Sequence, residues 1–242
     1  MNAELWLLAG GAALAGLVQG ISGFAFAMVA MSVWVWGIEP RLAAVMAVAG
    51  GLLGQILGLF TVRRSPRWPA LLPFLAGGLA GVPLGTWVLP HLDAAFKLVL
   101  GLFLLLCCPA MLLAQRLPRI RAGGRWADGL VGLLGGLMGG IGGFSGVLPS
   151  LWVTLRGWDK ELQRGVIQNF SLAALAVTLA GYFAAGMVTA EMAPKFAVVA
   201  PAMLLPAVLG ARIYRGLSPE AFRRVVLLLL SGAGLAMVAA AV

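Results

Sequence analysis

The chain has 242 residues, 62% of them hydrophobic and only 10% charged, with a mean hydropathy of +1.01. Soluble domains carry about 45–50% apolar and about 25% charged residues, so the composition excludes a core buried in water and places the chain in lipid. The net charge of +9 accompanies no soluble basic surface; it excludes nucleic acid as a partner and is read as cytoplasmic loops facing an anionic leaflet.

The opening stretch, MNAELWLLAGGAALAG, offers Ala13-Leu14-Ala15 as a cleavage-like site but carries Glu4 where a signal peptide is positive, so it is read as a retained membrane segment. It enters a first long apolar block, Leu5–Trp36. This block is too long for one simple helix and short for two crossings of about 20 residues each. Three stretches of single-span length follow, Leu42–Val62, Trp68–Leu89 and Ala94–Ala114. A second long block, Gly129–Leu155, precedes three more, Val166–Phe183, Pro194–Ile213 and Phe222–Val242. Continuous apolar runs of this length exclude a closed β-barrel, whose strands alternate over about 10 residues.

The second long block repeats the first. GLVQGISGFAFAMVAMSVWVW (Gly16–Trp36) and GLMGGIGGFSGVLPSLWVTLR (Gly136–Arg156) align at an offset of 120 residues, pairing Gly20 with Gly140, Gly23 with Gly143 and Phe24 with Phe144. A weaker echo links GTWVLPHLDAAFKLVLGLFLLL from Gly85 to GARIYRGLSPEAFRRVVLLLLSG from Gly210.

Charge sets the orientation. Cytoplasmic loops collect Lys and Arg, and the basic residues gather at Arg63, Arg64 and Arg67; at Arg116, Arg119, Arg121 and Arg125; at Arg156, Lys160 and Arg164; and at Arg212, Arg215, Arg223 and Arg224. Only Arg41, Lys97 and Lys195 of the 17 fall elsewhere, beside Glu39, Asp93 and Glu191. Both flanks of the second block are therefore inside, and both flanks of the first are outside. Each block is predicted to be a hairpin of two short helices that leaves on the side it entered. The expected fold is all-α and polytopic: two inverted repeats, each a Gly-rich broken-helix hairpin plus three transmembrane helices, giving 8–10 helical segments. Residues 1–115 form the first repeat, 116–127 a basic cytoplasmic linker and 128–242 the second repeat, with both termini outside.

Duplicated, glycine-interrupted membrane segments mark transporters whose ligand sits where the broken helices of the two halves meet. Freed N–H groups and a half-helix N-terminus favour an anion there. The candidate binding residues are Gln19, Gly20, Ser22, Gly23 and Phe24 in the first block, and Gly140, Gly142, Gly143, Phe144 and Ser145 in the second. Arg164, Gln168 and Ser171 share one helix face, with Asn169 adjacent, and a polar face in a membrane helix points inward. Gln55 and Thr86 are further inward-facing candidates. No Asp, Glu or Lys sits mid-helix, which favours an anionic or neutral substrate over a cation. Cys107 and Cys108 are adjacent with no third cysteine, so neither a disulfide nor a metal site follows and no cofactor is expected. His91, the single histidine, ends a segment and is read as interfacial.

On these blocks, on the stretch RGWDKELQRGVIQNF that follows the second, and on the paired helices from Gly85 and Gly210, the chain resembles the sulfite exporter TauE/SafE family over essentially its whole length. The resemblance implies a small multi-pass permease of the bacterial inner membrane. Its substrates would be sulfur-containing or organic anions such as sulfite, sulfonates or sulfoacetate. The leading reading is a secondary transporter working by alternating access, driven by a proton or a sodium ion, and not an enzyme. An anion channel of the same architecture and a thiol–disulfide carrier built on Cys107-Cys108-Pro109 are the alternatives.

Overall fold

The computed structural model describes residues 2–61, 67–92, 95–114, 116–120, 122–213 and 219–241. Arg63, Arg64, Asp93, Arg121 and Arg215 lie outside the described residues, as does the side chain of Arg223. Among the described residues there are ten α-helices and no strand: α1 (Asn2–Ser22), α2 (Phe26–Trp34), α3 (Pro40–Thr61), α4 (Trp68–Val88), α5 (Phe96–Leu113), α6 (Gly124–Gly142), α7 (Val147–Leu155), α8 (Lys160–Ala184), α9 (Ala193–Ile213) and α10 (Pro219–Ala239). Six of them, α1, α3, α4, α5, α8 and α9, are long and apolar enough to cross a membrane. In lipid a backbone N–H must find its acceptor within its own segment, so these apolar runs become helices.

Each long block breaks at a glycine. The chain turns at Gly23 (φ 86°) between α1 and α2, and at Gly143 (φ 84°) between α6 and α7. Glycine adopts this left-handed conformation without the steric penalty of a Cβ. The Gly23 N–H still donates to the Gln19 carbonyl at 2.7 Å and the Gly143 N–H to that of Gly139 at 2.8 Å, so each turn caps the helix it ends.

The two arms of each hairpin differ from the expectation of two short helices. α1 has 21 residues, about 32 Å and enough to span, while α2 has 9, about 14 Å. α6 and α7 repeat the disparity with 19 and 9 residues. The long arms are stabilised by a neighbour: α1 packs most extensively on α9 and α6 on α4. A Cβ at Gly16 would run into the Met203 carbonyl, one at Gly20 into that of Ala207, and one at Gly210 into that of Leu17. On the other pair, Gly136 meets the Gly78 carbonyl, Gly140 that of Val82 and Gly85 that of Leu137. These are the same contacts, displaced by 120 residues in the hairpin arms and by 125 in their partners. Glycines at helix–helix crossings let backbones approach closely, and the glycines of α1 and α6 serve that end.

The wider packing obeys the same exchange. Replacing α1 to α5 by α6 to α10 turns α1·α9 into α6·α4, α4·α8 into α9·α3 and α1·α2 into α6·α7, and leaves α3·α8 and α5·α10 as they are. The tightest pairs therefore join one helix from each half.

Both hairpins return to the end from which they start. In the first, Trp34 packs on Gly11 and Leu7 on Gly37. Beyond them, Lys195 pairs with Glu4 at 2.6 Å, Arg41 donates to the carbonyls of Met187 (3.2 Å) and Gly186 (2.6 Å), and Lys97 lies 4.7 Å over the Trp36 ring. At the opposite end, Arg125 donates to the Pro69 carbonyl at 3.4 Å, Ile120 N–H to that of Leu155 at 2.9 Å and Arg156 to that of Gly124 at 3.4 Å. His91 lies with Nδ1 2.9 Å from the Trp87 carbonyl and its ring 5.0 Å from the Trp87 ring. Cys107 and Cys108 are both free and buried in α5.

Candidate functional site

The two breaks meet. Phe24, just past the first turn, has its Cβ 3.0 Å from where a Gly146 side chain would begin. Met31 of α2 reaches Gly142, and Ala27 reaches Gly143. The tips of both hairpins, with Ser171 of α8, thus form one cluster.

The two tips are satisfied differently. At the first, the Ser22 hydroxyl oxygen accepts from the N–H groups of Phe24 (3.4 Å) and Ala25 (3.2 Å), and Gln19 Oε1 accepts from Phe26 N–H at 3.0 Å. Gln55 Nε2 donates to the Gly23 carbonyl at 2.8 Å. These side chains close the orphan donors that open any helix N-terminus. At the second tip the corresponding positions are Gly139 and Gly142, which have no side-chain oxygen to offer. Phe144 N–H turns instead to the Met138 carbonyl at 3.3 Å. The hydroxyls of Ser145 and Ser171, each only 1% exposed, have no hydrogen-bond partner among the described residues. The Ser171 oxygen lies 2.8 Å from the position a Cβ of Gly146 would take.

Exposure differs as well. Gly23 is exposed, with no atom of the described residues beyond its chain neighbours within 4 Å of where its side chain would start, whereas Gly143 is buried against Ala27, Val48 and Ala47. Phe144 is packed 5.2 Å from the Phe103 ring, while Phe24 is half-buried.

A family model described as Sulfite exporter TauE/SafE matches residues 8–237, nearly the whole chain. The chain belongs to the TauE/SafE family. No curated protein and no solved structure matches it. Membership makes it a multi-pass membrane transporter, in keeping with its six membrane-length helices.

The remaining candidates are placed less centrally in this TauE/SafE chain. Gly20 and Gly140 face neighbouring helices, and the Gly140 carbonyl accepts from the buried Tyr182 hydroxyl at 2.7 Å. Gln168 Nε2 is buried beside Gly58 of α3 without a partner among the described residues, and Asn169 donates to the Gly165 carbonyl of its own helix at 2.8 Å. Thr86 Oγ1, near Gly181, is another buried atom with no partner among the described residues. Arg164 is half-buried one helical turn before Gln168.

One constellation escapes a reading by repeats. Asp128, 4% exposed in α6, accepts from Trp152 Nε1 at 2.7 Å and lies 3.5 Å from Arg156 Nη1. The Arg156 guanidinium sits 5.7 Å over the rings of both Trp152 and Trp158. This cluster ties the start of the second hairpin to its end. The signal for it was a lone acid in a basic stretch. Removing one member of a buried charge pair costs about 3–5 kcal/mol, so Asp128→Ala is expected to lower the Tm of the detergent-purified protein by several degrees. Asp128→Asn, which keeps an acceptor for Trp152, should recover part of that loss.

Proposed function

We propose that the protein is a secondary transporter that carries a small sulfur-containing anion, sulfite or a sulfonate, across the bacterial inner membrane by alternating access. On this reading residues 1–115 and 128–242 are inverted repeats joined by the basic linker 116–127, the termini lie outside, and a proton or sodium gradient supplies the drive. The observation that carries it is the inequality of two equivalent sites. Gly23 and Gly143 share a sequence context, a backbone conformation and a place in the packing, yet one is open and the other closed. A carrier built from two like halves shows this in either of its end states, and exchanging the halves' environments gives the other state.

The close packing of α1 on α9 and of α6 on α4 supports a particular choice of moving parts. Each hairpin travels with its partner helix from the other half, so the bodies that rock are crossed rather than equal to the sequence halves. The substrate lies between the tips, at the glycines and Ser145 of the second break, and Arg164 draws anions toward it from the basic end, with Gln168 further along the same face.

Counterflow in proteoliposomes tests the reading. Vesicles preloaded with unlabelled sulfite should take up labelled sulfite faster than empty vesicles, because a carrier exchanges and a channel does not. In the same vesicles Arg164→Ala should raise the half-saturating sulfite concentration roughly tenfold, equivalent to about 1.4 kcal/mol of binding. Uptake indifferent to preloading would refute the carrier.

A further inference from the structure

We propose that the protein holds one anion at a time, at the second break only, and that the ligand is an oxyanion offering at least two oxygens to the N-terminus of α7. The inference rests on the anion-transport reading above and specifies its site. Three observations bear on it.

The first is the division of labour at the first break. There the chain supplies its own two oxygens, Ser22 Oγ to Ala25 N–H and Gln19 Oε1 to Phe26 N–H. At an offset of 120 residues these donors are the N–H groups of Ser145 and Gly146, and the residues that would cap them are glycines. Neither N–H has an acceptor among the hydrogen bonds of the described residues. The first break is thus an internal template for what the second lacks: two oxygen atoms, separately placed, on adjacent N–H groups.

The second observation is the pair of orphan hydroxyls. Ser145 and Ser171 are 1% exposed and unpartnered among the described residues, a condition that native interiors avoid because a buried polar group without a partner forfeits its hydrogen bonds to water. Ser171 aims at the break, and the missing side chain of Gly146 leaves it the room to do so. Two hydroxyls and two N–H groups at this break are thus four donors left without an acceptor among the described residues.

The third is the field. The break opens α7, a nine-residue helix, and a helix N-terminus carries a partial positive charge that favours an anion. Four separate donors suit a group with several charged oxygens, such as a sulfur oxyanion. A halide, as a single atom, cannot reproduce the two-oxygen arrangement of the first break.

Titration calorimetry of sodium sulfite, and separately of sodium chloride at matched ionic strength, into the detergent-purified full chain under nitrogen tests this. Ser171→Ala and Ser145→Ala should each weaken sulfite binding at least tenfold. Both should leave the ligand-free Tm unchanged or higher, because each removes a hydroxyl that makes no bond. Ser231→Ala, whose hydroxyl is bonded to the Leu227 carbonyl within α10, should bind sulfite like the wild type. Chloride should bind at least tenfold more weakly than sulfite. Sulfite binding within twofold of wild type in both serine variants would overturn the site while leaving anion transport standing, and equal affinity for chloride would overturn the two-oxygen ligand. No sulfite binding by the wild type would remove the anion reading itself.

Discussion

Gly143→Leu is expected to abolish sulfite flux in proteoliposomes and to lower the Tm of the purified protein. Two separate effects add at this residue. Its φ of 84° is a conformation that costs a residue with a Cβ about 1–2 kcal/mol. The side chain would also enter a filled space: its Cβ alone would lie 3.2 Å from the Ala27 Cβ and 3.4 Å from a Val48 methyl. Overpacking of this kind costs about 1–3 kcal/mol. The strain can be relieved by moving the turn, and the turn carries Ser145 and Gly146 with it. Gly143→Ala, with the same φ but little beyond the Cβ to place, should lose less of both stability and flux. Flux within twofold of wild type for Gly143→Leu would show that the second break is not where substrate passes.

Much of this architecture was legible because glycine has few uses inside a membrane helix. The block at Gly16 and its copy at Gly136 marked two places where a helix needs either a break or a close neighbour, and both needs are met, at Gly23 and Gly143 for the first and at Gly16, Gly20, Gly136 and Gly140 for the second. The sequence could not say which glycine served which need, and so both hairpin arms were expected to be short. α1 stays helical through four glycines, two of which lie against α9, and that contact is a property of the fold rather than of the segment. The crossed pairing of helices was hidden for the same reason, since nothing in α4 alone names α6 as its partner.

The unequal capping was written in the chain as Gln19 against Gly139 and Ser22 against Gly142. Read from the sequence alone, Gln19 and Ser22 were ligand candidates alongside the residues of the second block. Geometry separates the two blocks, because their oxygens are occupied by the chain's own N–H groups, while the second block has donors to spare. Asp128 was passed over because its partners, Trp152 and Arg156, arrive only when α7 folds back along α6.

Gly23→Leu separates folding from turnover, and the predicted result differs from that at Gly143. The backbone strain is the same, since φ is 86°, so a loss of about 1–2 kcal/mol is expected. No steric loss follows in the state described, because none of the described residues beyond its chain neighbours lies within 4 Å of the new Cβ. The variant should therefore purify as a monodisperse protein with only a modest drop in Tm. Transport requires more than this one state. When the halves exchange environments, the first break takes up the closed surroundings that Gly143 has now, and the residues equivalent to Ala27, Ala47 and Val48 are Val147, Ile167 and Gln168. A leucine at position 23 would be driven into all three, so the second state is disfavoured and the cycle stops half-way. The expected signature is a folded protein whose sulfite flux is lost by more than tenfold and whose counterflow is lost with it. Flux close to wild type would mean that the first break stays open throughout, and the two breaks would then differ by design rather than by state.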